Sequence, residues 1–344
     1  MIMKENIFSL SNFCYQLSPQ LIAQRPLPRR EEARLLIVER KSKCIKEDTF
    51  KNIVNFLEEE DVLVLNDTKV IRARLWARRK TGAKIEILLT RKIEENVWAV
   101  LAKPARRLRL GEVIFFDHKD ISAQVLERNS YGEFILRFSL PVEGFLNEIG
   151  EVPLPPYIKE KVEEENYQTV FSKEKGAVAS PTAGLHFSLP LLERIKAKGV
   201  KIVFLTLHCS AFTFRPVKAE DIREHRMQKE FFIIPYQTAR IINEAKRRKR
   251  RVFSVGTTST RALESSVNSC GEVVPQRGET SLYIYPGYEF KIVDALITNF
   301  HTPQSTNLIL VAGFAGLDLI KKAYQYAIGK RFRFFSFGDA MLII

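Results

Sequence analysis

The segment from Asn299 to Ser305 gathers groups that can bind a ligand or move a proton. The letters NFHTPQS place an amide at Asn299, an imidazole at His301 and a hydroxyl at Ser305, directly after an apolar run that predicts a strand. A small-residue apolar segment of helical character follows them. Ligand crevices of open α/β sheets lie outside the carboxyl ends of the strands. These side chains are therefore the first candidates for the wall of a site.

A second candidate is an anion site in the letters VFSVGTTSTRALES, which predict a buried strand and a helix over Thr260 to Val267. Gly256 would let the backbone approach a ligand closely. Thr257 and Thr258 supply hydroxyls where free N–H groups and the helix dipole favour an anion. Arg261 could bind a carboxylate or phosphate with two hydrogen bonds. Simple capping of the helix by these hydroxyls is the alternative.

Three further histidines lie in segments that could carry chemistry. Thr182 and His186 belong to SPTAGLHFS, a turn rich in small residues, and His208 ends the apolar run KIVFLTLH. For each histidine a structural role and a functional role remain open. The two arginines of REHR are predicted to keep His225 neutral, and so able to act as a base near pH 7.

Other residues could bind substrate groups. Arg215 directly precedes a proline, where the backbone is extended, and could hold an anion or pair with a surface acid. In YPGY, Tyr285 and Tyr288 could stack on a base, and Gly287 would permit close backbone approach. Packing of these aromatic rings on a sheet face is the alternative. Asp294 lies just before the apolar letters ALIT and would need a partner if buried.

The chain carries 54 Lys and Arg against 40 Asp and Glu, a net charge of +14. This surplus attracts polyanions in a salt-dependent way, so nucleic acid is a leading partner. The run KRRKRR from Lys246 favours the solvated end of a helix over a specific RNA contact. The basic residues are concentrated in five clusters: 25–34, 72–80, 103–109, 246–251 and 330–333.

Several classes of protein are disfavoured by the motifs. The four cysteines lie far apart and no metal-ligand spacing of histidines occurs, so no metal is expected. The chain contains no P-loop, no dinucleotide-binding G-x-G-x-x-G and no G-x-S-x-G elbow. No apolar run approaches the roughly 20 residues of a membrane-spanning helix, and the first residues lack a secretory pattern, so a cytoplasmic location is expected.

The elements that must position these residues belong to two regions with different patterns of secondary structure. After a predicted strand at 34–39, helix at 49–58 and strand at 61–66, short strands separated by turns favour a small β-barrel or sandwich. Beyond the proline-rich PLPPYI, strands alternate with helices, which is typical of a mostly parallel layered sheet. We expect an α/β fold: a large layered α/β domain of residues 1–70 and 151–344 with an inserted small β-barrel domain of residues 71–150.

The later elements are predicted from periodicity and punctuation. The predicted helices and strands are these: helix 189–198, strand 201–208, strand 231–234, helix 236–250, strand 252–256, helix 260–267, strands 281–285 and 292–298, helix 317–328, and a last strand near 334–337 or 342.

Motifs spread over nearly the whole chain closely resemble those of the S-adenosylmethionine:tRNA ribosyltransferase-isomerase family of queuosine synthesis. They occur in the family's order: LVLNDTKVIRARL, KIEILL, PLPPYI, YQTVF, GAVASPTAGLHF, TLH with TFRPV, VGTTSTRALES, YIYPGYEF, ITNFH and FFSFGDAML. The resemblance implies an enzyme that moves the ribosyl part of S-adenosylmethionine onto 7-aminomethyl-7-deazaguanine at the tRNA wobble position. The product would carry an epoxycyclopentanediol, with adenine and methionine released. S-Adenosylmethionine would be a co-substrate, with no further cofactor, no metal and no membrane.

One segment departs from the family's pattern. Where the family shows a loop similar to HVGAGTF, this chain has HCSAFTF, with Ser210 and Phe212 at the glycine positions. Side chains there disfavour the positive φ angles and close ligand approach that glycine permits. The substrate-binding roles that the resemblance implies for His208 and Thr213 are weakened accordingly.

The resemblance also suggests roles in the reaction. The sulfonium acidifies the adjacent C–H, so a neutral histidine, His301 or His186, is the expected base. Asp294 or Asp339 is the candidate acid or orienting group. The GTTSTR segment would hold the methionine carboxylate, and a tyrosine of YPGY would stack on a base. The tRNA would be bound mainly through phosphates, with the target base read in an unstacked anticodon loop.

Two other classes of function stay open at this point. One is an S-adenosylmethionine-dependent RNA methyltransferase, which would release S-adenosylhomocysteine. The other is a non-catalytic RNA-binding protein, favoured by the net charge and the predicted barrel, which would consume no S-adenosylmethionine.

Overall fold

The computed structural model describes residues 6–117, 121–129 and 132–344. The strands of this part of the chain are β1 Arg34–Val38, β2 Ile45–Thr49, β3 Val62–Asn66, β4 Thr68–Val70, β5 Arg74–Arg79, β6 Lys84–Lys92, β7 Val97–Lys103, β8 Val113–Phe116, β9 Ser122–Arg128, β10 Phe134–Phe138, β11 Glu174–Ala177, β12 Lys201–Leu207, β13 Glu230–Ile234, β14 Val252–Val255, β15 Gln276–Thr280, β16 Ala295–Asn299 and β17 Ala340–Ile343. The α-helices are α1 Leu146–Ile149, α2 Leu189–Ala197, α3 Tyr236–Arg247, α4 Gly256–Ser265, α5 Thr306–Ala315 and α6 Leu317–Gly329.

The chain folds into two compact units. The first comprises residues 1–69, 155–174 and 180–344, and the second comprises residues 70–154 and 175–179. The second unit is a closed antiparallel barrel of described strands in the order β10-β7-β6-β5-β8-β9. Its strands alternate, so that Leu75 and Ala77, like Ile85, Ile87 and Leu89, are buried at every second position. The α/β fold with a small β-barrel is therefore confirmed.

The first unit is built on a sheet whose described strands run β15-β13-β12-β3-β14-β16-β17-β1-β2. Four of its pairings are parallel: β12 with β3, β3 with β14, β14 with β16, and β17 with β1. The other four are antiparallel. The expected mostly parallel sheet is thus a mixed one, with four parallel strands, β12, β3, β14 and β16, next to one another at its centre.

One hydrophobic cluster of this unit's core packs on one face of the sheet. Leu63 and Leu65 of β3 pack in one cluster with Phe253 of β14 and with Leu191 and Ile195 of α2. The cluster is apolar and fully buried, which stabilises the fold by about 25 cal/mol for each Å² removed from water. Ser188 caps α2 by accepting a hydrogen bond from the Leu191 N–H at 3.2 Å.

Some sequence-based elements are wrong in type. The helix predicted from Thr49 is a 3₁₀ helix, Phe50–Phe56, that follows β2 directly. Phe50 and Ile53 are buried, and their spacing of three suits the three residues per turn of a 3₁₀ helix. Residues 281–285 are not a strand. Their backbone packs against α5, where a Cβ on Gly313 would lie 3.0 Å from the Tyr285 carbonyl.

Other elements are shifted. The strand predicted over 292–298 is β16, which begins at Ala295. Of the two positions predicted for the last strand, the one near 342 is confirmed by β17 and the one at 334–337 is wrong. Phe335 has a φ of 70°, which interrupts extended structure in that segment. The helix predicted from Thr260 begins one turn earlier, at Gly256, so the GTTSTR residues lie inside its first turns.

Candidate active site at the carboxyl edge of the parallel strands

Four parallel strands end at the same edge of the sheet. Asn66 ends β3, Leu207 ends β12, Val255 ends β14 and Asn299 ends β16. The antiparallel neighbours begin there: Ala340 of β17 pairs with Asn299, and β13 starts at Glu230. This carboxyl edge therefore brings together the ends of six strands, and Asn66, Asn299 and Glu230 are the polar residues among those named, as expected for the ligand crevice of an α/β sheet.

Asn66 links three elements at this edge. Its buried amide donates to the Leu207 carbonyl at 2.9 Å and to the Thr258 hydroxyl at 3.3 Å. Its oxygen accepts the N–H groups of Thr68 at 3.1 Å and Leu207 at 3.0 Å. A buried side-chain amide satisfied in this way fixes the relative position of β3, β12 and α4.

The start of α4 has the geometry expected of an anion site. Gly256 has a φ of +87°, which strains any residue with a Cβ. No side chain caps the helix at Val255. Thr257 instead donates its hydroxyl to the Asn307 Oδ1 at 3.0 Å. The first turn of the helix is thus left without a capping side chain, a situation that favours a bound anion.

Arg261 forms an ion pair with the buried carboxylate of Glu230. Its Nη1 contacts Glu230, with both side chains almost completely buried, and its Nε donates to the Leu282 carbonyl at 2.9 Å. Glu230 also accepts the N–H of Ser210 at 2.8 Å. Within the described residues the second terminal nitrogen of Arg261 is buried and has no partner. Arg261 therefore keeps one free donor.

His186 is held at the same edge by Asn299. The Asn299 Nδ2 lies 3.2 Å from His186 Nε2 and donates to the Phe335 carbonyl at 3.1 Å. The imidazole ring packs on the Phe50 ring with centroids 5.0 Å apart. Burial, with the positive charges of Arg333 and Arg30, lowers the pKa of His186 to about 3. The histidine is therefore neutral over the physiological range.

His301 lies just beyond Asn299 and is fixed by its neighbours. Its Nε2 is 2.7 Å from the Thr298 hydroxyl, and its backbone N–H donates to the Tyr324 hydroxyl at 2.8 Å. The Tyr15 hydroxyl donates to the His301 carbonyl. Burial lowers the pKa of His301 to about 3, so this histidine is neutral too.

His208 and the loop after it lie beside Asn66. The His208 Nδ1 is 2.7 Å from the Thr68 hydroxyl, and its ring stacks on Phe231 with centroids 5.4 Å apart. The loop continues as a 3₁₀ helix, Ala211–Phe214, which contains Thr213. Ser210 has a φ of −84°, and none of the described non-glycine residues with positive φ falls in this loop. This loop therefore needs no glycine.

The two candidate aspartates lie at opposite ends of the sheet. Asp339 is at the carboxyl edge, where its oxygens accept the N–H groups of Arg34 at 2.9 Å and Arg333 at 2.7 Å. Burial raises its pKa. Asp294 precedes β16, roughly 16 Å away from Asn299 along the strand at 3.3 Å per residue. It pairs there with Lys246 at 2.8 Å, so it does not join the edge cluster.

The remaining predicted residues are distributed around this edge. Ser305 is the N-cap of α5, accepting the Leu308 N–H at 3.2 Å, and Thr182 begins a 3₁₀ helix that ends at His186. The Tyr285 ring packs against Tyr283, with centroids 5.4 Å apart. Arg215 is exposed, with its guanidinium 4.7 Å from the centre of the Phe212 ring. These contacts leave the binding roles of the four residues as proposals.

Glu264 holds the Tyr288 side chain and the backbone that follows it. The Tyr288 hydroxyl donates to this buried carboxylate at 3.3 Å, and the carboxylate also accepts the N–H groups of residues 291–293. Gly287 has a φ of +100° and open space around its Cβ position. Burial is the main cause that raises the pKa of Tyr288, so its hydroxyl stays protonated.

Two electrostatic expectations from the sequence are resolved by contacts. Burial, rather than the flanking arginines, lowers the pKa of His225. The basic run that begins at Lys246 ends α3 and is largely paired. Lys246 contacts Asp294, Arg247 contacts Glu272, Arg248 and Arg250 contact Glu60, and Arg251 contacts Asp61.

Sequence reasoning missed four residues at this edge: Asn66, Thr68, Glu230 and Asn307. Asn66 carried a signal, since it is a polar residue directly after the buried run DVLVL. Glu230 carried none, because an acid before an apolar strand is ordinary until its burial against Arg261 is seen. Among the described residues there is no cluster of three or more side chains suited to a metal ion. None of the helices in the described part of the chain combines the length and the apolar character that a membrane-spanning segment requires.

A family model described as queuosine biosynthesis protein matches residues 10–343. Two similar proteins, from Caldanaerobacter subterraneus subsp. tengcongensis and Halothermothrix orenii, are both named S-adenosylmethionine:tRNA ribosyltransferase-isomerase. They are 48% identical over 338 residues and 47% identical over 339 residues, and each match covers 97% of this chain and 99% of the relative. The crystal structure of S-adenosylmethionine tRNA ribosyltransferase from Thermotoga maritima is similar, with 38% identity and a TM-score of 0.55. That match covers 97% of this chain and 100% of the other.

The α/β sheet with its barrel and edge site, together with these matches, defines a transferase of tRNA modification in queuosine biosynthesis. The chain belongs to the S-adenosylmethionine:tRNA ribosyltransferase-isomerase family.

Proposed function

We propose that this enzyme transfers and isomerises the ribosyl moiety of S-adenosylmethionine onto 7-aminomethyl-7-deazaguanine at the wobble position of tRNA. The product is epoxyqueuosine-tRNA, and adenine and methionine are released. The names of relatives that align over nearly the whole chain support this reaction. The observation that carries it is the carboxyl edge, where an uncapped helix start and two neutral histidines occur together.

S-Adenosylmethionine would bind across the start of α4. Its methionine carboxylate would be held by the N–H groups at Thr257 and Thr258 and by the unpartnered nitrogen of Arg261. Glu230 neutralises the Arg261 charge on the opposite side. Tyr285 and Tyr288 would stack on a base, with Gly287 leaving room for its approach.

The proton next to the sulfonium would be taken by a neutral histidine. A histidine with a pKa of about 3 is almost fully deprotonated at pH 7, and the positive sulfur makes the adjacent C–H acidic enough for a weak base. His301 and His186 both meet this requirement. Of the two candidate aspartates, Asp339 is the one at the carboxyl edge, and we propose it as the orienting group.

The tRNA would dock mainly through phosphates on the basic surface, with the target base flipped out of the anticodon loop. Binding would weaken steeply with salt, since phosphate contacts release counterions. We propose that the reaction takes place in the cytoplasm, where tRNA is modified.

Analysis of small-molecule products tests the reaction directly. The enzyme is incubated with S-adenosylmethionine and tRNA carrying the 7-aminomethyl base, and released compounds are separated by chromatography. Adenine and methionine in equal amounts are expected. Release of S-adenosylhomocysteine would instead identify a methyltransferase, and unconsumed S-adenosylmethionine would leave only RNA binding.

A further inference from the structure

Two basic clusters that are far apart in the sequence, 25–34 and 330–333, come together next to His186. The Phe334 N–H donates to the Leu21 carbonyl at 2.8 Å, and the Ala23 N–H donates to the Phe334 carbonyl at 3.2 Å. These contacts bring the segment 25–34 against the segment 330–333. Arg333 donates its Nη2 to the Arg25 carbonyl. The two clusters therefore form one positive surface.

Arg30 and Arg333 differ from the other arginines of this surface. Arg25, Arg29 and Arg34 pair with the carboxylates of Glu160, Glu32 and Glu47, in that order. Arg30 donates only to carbonyl oxygens, those of Gln168 at 2.7 Å and Glu165 at 2.9 Å. Among the described residues, Arg30 and Arg333 form no ion pair with an acidic side chain, and the Arg333 Nη1 is buried without a partner.

An uncompensated guanidinium that is partly buried is costly. Burial lowers the pKa of both Arg30 and Arg333, because the charged guanidinium groups lose contact with water. The carboxylate of Asp339 attracts the Arg333 charge, but its two oxygens accept the backbone N–H groups of Arg34 and Arg333 and form no ion pair with the guanidinium among the described residues. Both arginines line one concavity, and an anion bound there would stabilise the two charges.

A concavity lies between these arginines. Its lining includes Leu27, Arg30, His186, Arg333 and Gly338, and its volume is about 20 Å³. That volume holds one or two oxygen-sized atoms, because a water needs about 10–15 Å³ by this measure. An oxygen of a phosphate fits there, whereas a nucleobase does not.

The wall formed by residues 333–338 is a tight turn. A Cβ on Gly338 would lie 2.5 Å from the Arg333 carbonyl oxygen, so only glycine fits this close approach. The turn thus holds the backbone that carries the Arg333 guanidinium in one place. The site is preorganised before an anion arrives.

We propose that the concavity between Arg30 and Arg333 binds one backbone phosphate of the tRNA. This inference rests on the proposed function and adds a contact point for the RNA strand beside His186. A polyanion suits the site better than a free small anion, because the concavity admits only an oxygen or two and the rest of the anion must lie outside it along the basic segments 25–34 and 330–333. The strand would thereby be directed to the carboxyl edge.

Arg333→Gln and Arg30→Gln test the proposal by equilibrium binding of tRNA carrying the 7-aminomethyl base at several salt concentrations. Each variant is expected to weaken binding on the order of 10-fold and to reduce the slope of log K against log salt by about 0.7–0.9, the value for one lost phosphate contact. The affinity for S-adenosylmethionine, measured by calorimetry, should stay within about twofold of the wild type. Arg240→Gln, which removes a charge from an exposed pair with Glu244 on α3, is the matched control and should leave both slope and affinity near the wild-type values.

Arg333→Lys provides a second test that keeps the charge and the packing of the stem. We expect several-fold weaker tRNA binding with an unchanged salt slope, because lysine lacks the bidentate fork. The proposal would be overturned if Arg333→Lys bound tRNA with the wild-type affinity and a folded glutamine variant kept both the wild-type affinity and the wild-type salt slope. Loss of S-adenosylmethionine affinity with normal tRNA binding would also overturn it, by assigning the site to the methionine carboxylate. A wild-type enzyme that binds neither substrate would instead refute the proposed function itself.

Discussion

The amide nitrogen of Asn299 lies 3.2 Å from Nε2 of His186, joining the end of β16 to a 3₁₀ helix 113 residues earlier in the chain. Because the amide is a donor, Nε2 is the acceptor and the imidazole is neutral, with its proton on Nδ1. This contact sets the orientation and the tautomer of the more deeply buried of the two candidate bases.

Asn299→Ala is expected to lower kcat on the order of 10-fold. The variant removes the hydrogen bond to His186, worth about 1.5 kcal/mol, and so frees the imidazole ring to rotate; it also removes the bond to the Phe335 carbonyl. Adenine release under saturating substrates measures the effect. Asn243→Ala, which removes an amide that bonds the Val273 backbone away from this edge, is the control. Equal turnover of both variants would remove Asn299 from the site.

His301→Ala should cut turnover by a factor on the order of 100 or more and leave tRNA binding nearly intact, if His301 takes the proton. His186→Ala is made in parallel, and single-turnover adenine release compares the two. The larger loss identifies the base. Near-normal turnover of His301→Ala would eliminate this histidine from the mechanism.

The stability of the enzyme should depend on pH through His186. Its pKa is about 3 in the folded protein and 6.5 in a model compound, so the unfolded chain binds the extra proton first. Stability is therefore fully present above pH 6.5 and falls as the pH drops toward 3, by up to about 1.4 kcal/mol per unit. Urea unfolding from pH 7 to pH 4 measures this loss. His186→Gln should show a shallower decline, and an identical decline would contradict the assignment.

Glu230→Ala should destabilise the protein by about 3–5 kcal/mol, because it leaves the buried charge of Arg261 without its partner. The double variant Glu230→Leu with Arg261→Met removes both charges and should recover much of this loss. Urea denaturation measures the free energies. Additive losses in the double variant would show that the two side chains are not coupled.

The basic run at the end of α3 should contribute little to tRNA binding. Arg247 and Arg248 each pair with a carboxylate, of Glu272 and Glu60, at 3.0 Å and 2.8 Å. We expect the double variant Arg247→Gln with Arg248→Gln to change tRNA affinity less than about twofold in a filter-binding titration. A loss comparable to that of Arg333→Gln would make this run a docking surface after all.

The fold class could be predicted from the sequence because its signals are local. Alternation with a period of two marks the barrel strands, as at Leu75 and Ala77, and apolar runs such as DVLVL mark buried strands. Glycine and serine at helix ends also act over a few residues, and Gly256 and Ser305 occupy such positions. The type of the helix at Phe50 was predicted wrongly because the same local spacing of apolar residues occurs in α-helices and in 3₁₀ helices.

The composition of the site depended on contacts between distant parts of the chain. Asp294 and Asn299 flank one strand, and only the direction of β16 within the sheet placed Asn299 at the carboxyl edge and Asp294 at the other end. Glu230 meets Arg261, and Arg30 approaches Arg333, through packing that no local pattern encodes. The sequence by itself determined which elements form and which chemical groups they carry. Tertiary structure decided which of those groups meet, because burial and strand direction set both their distances and their charges.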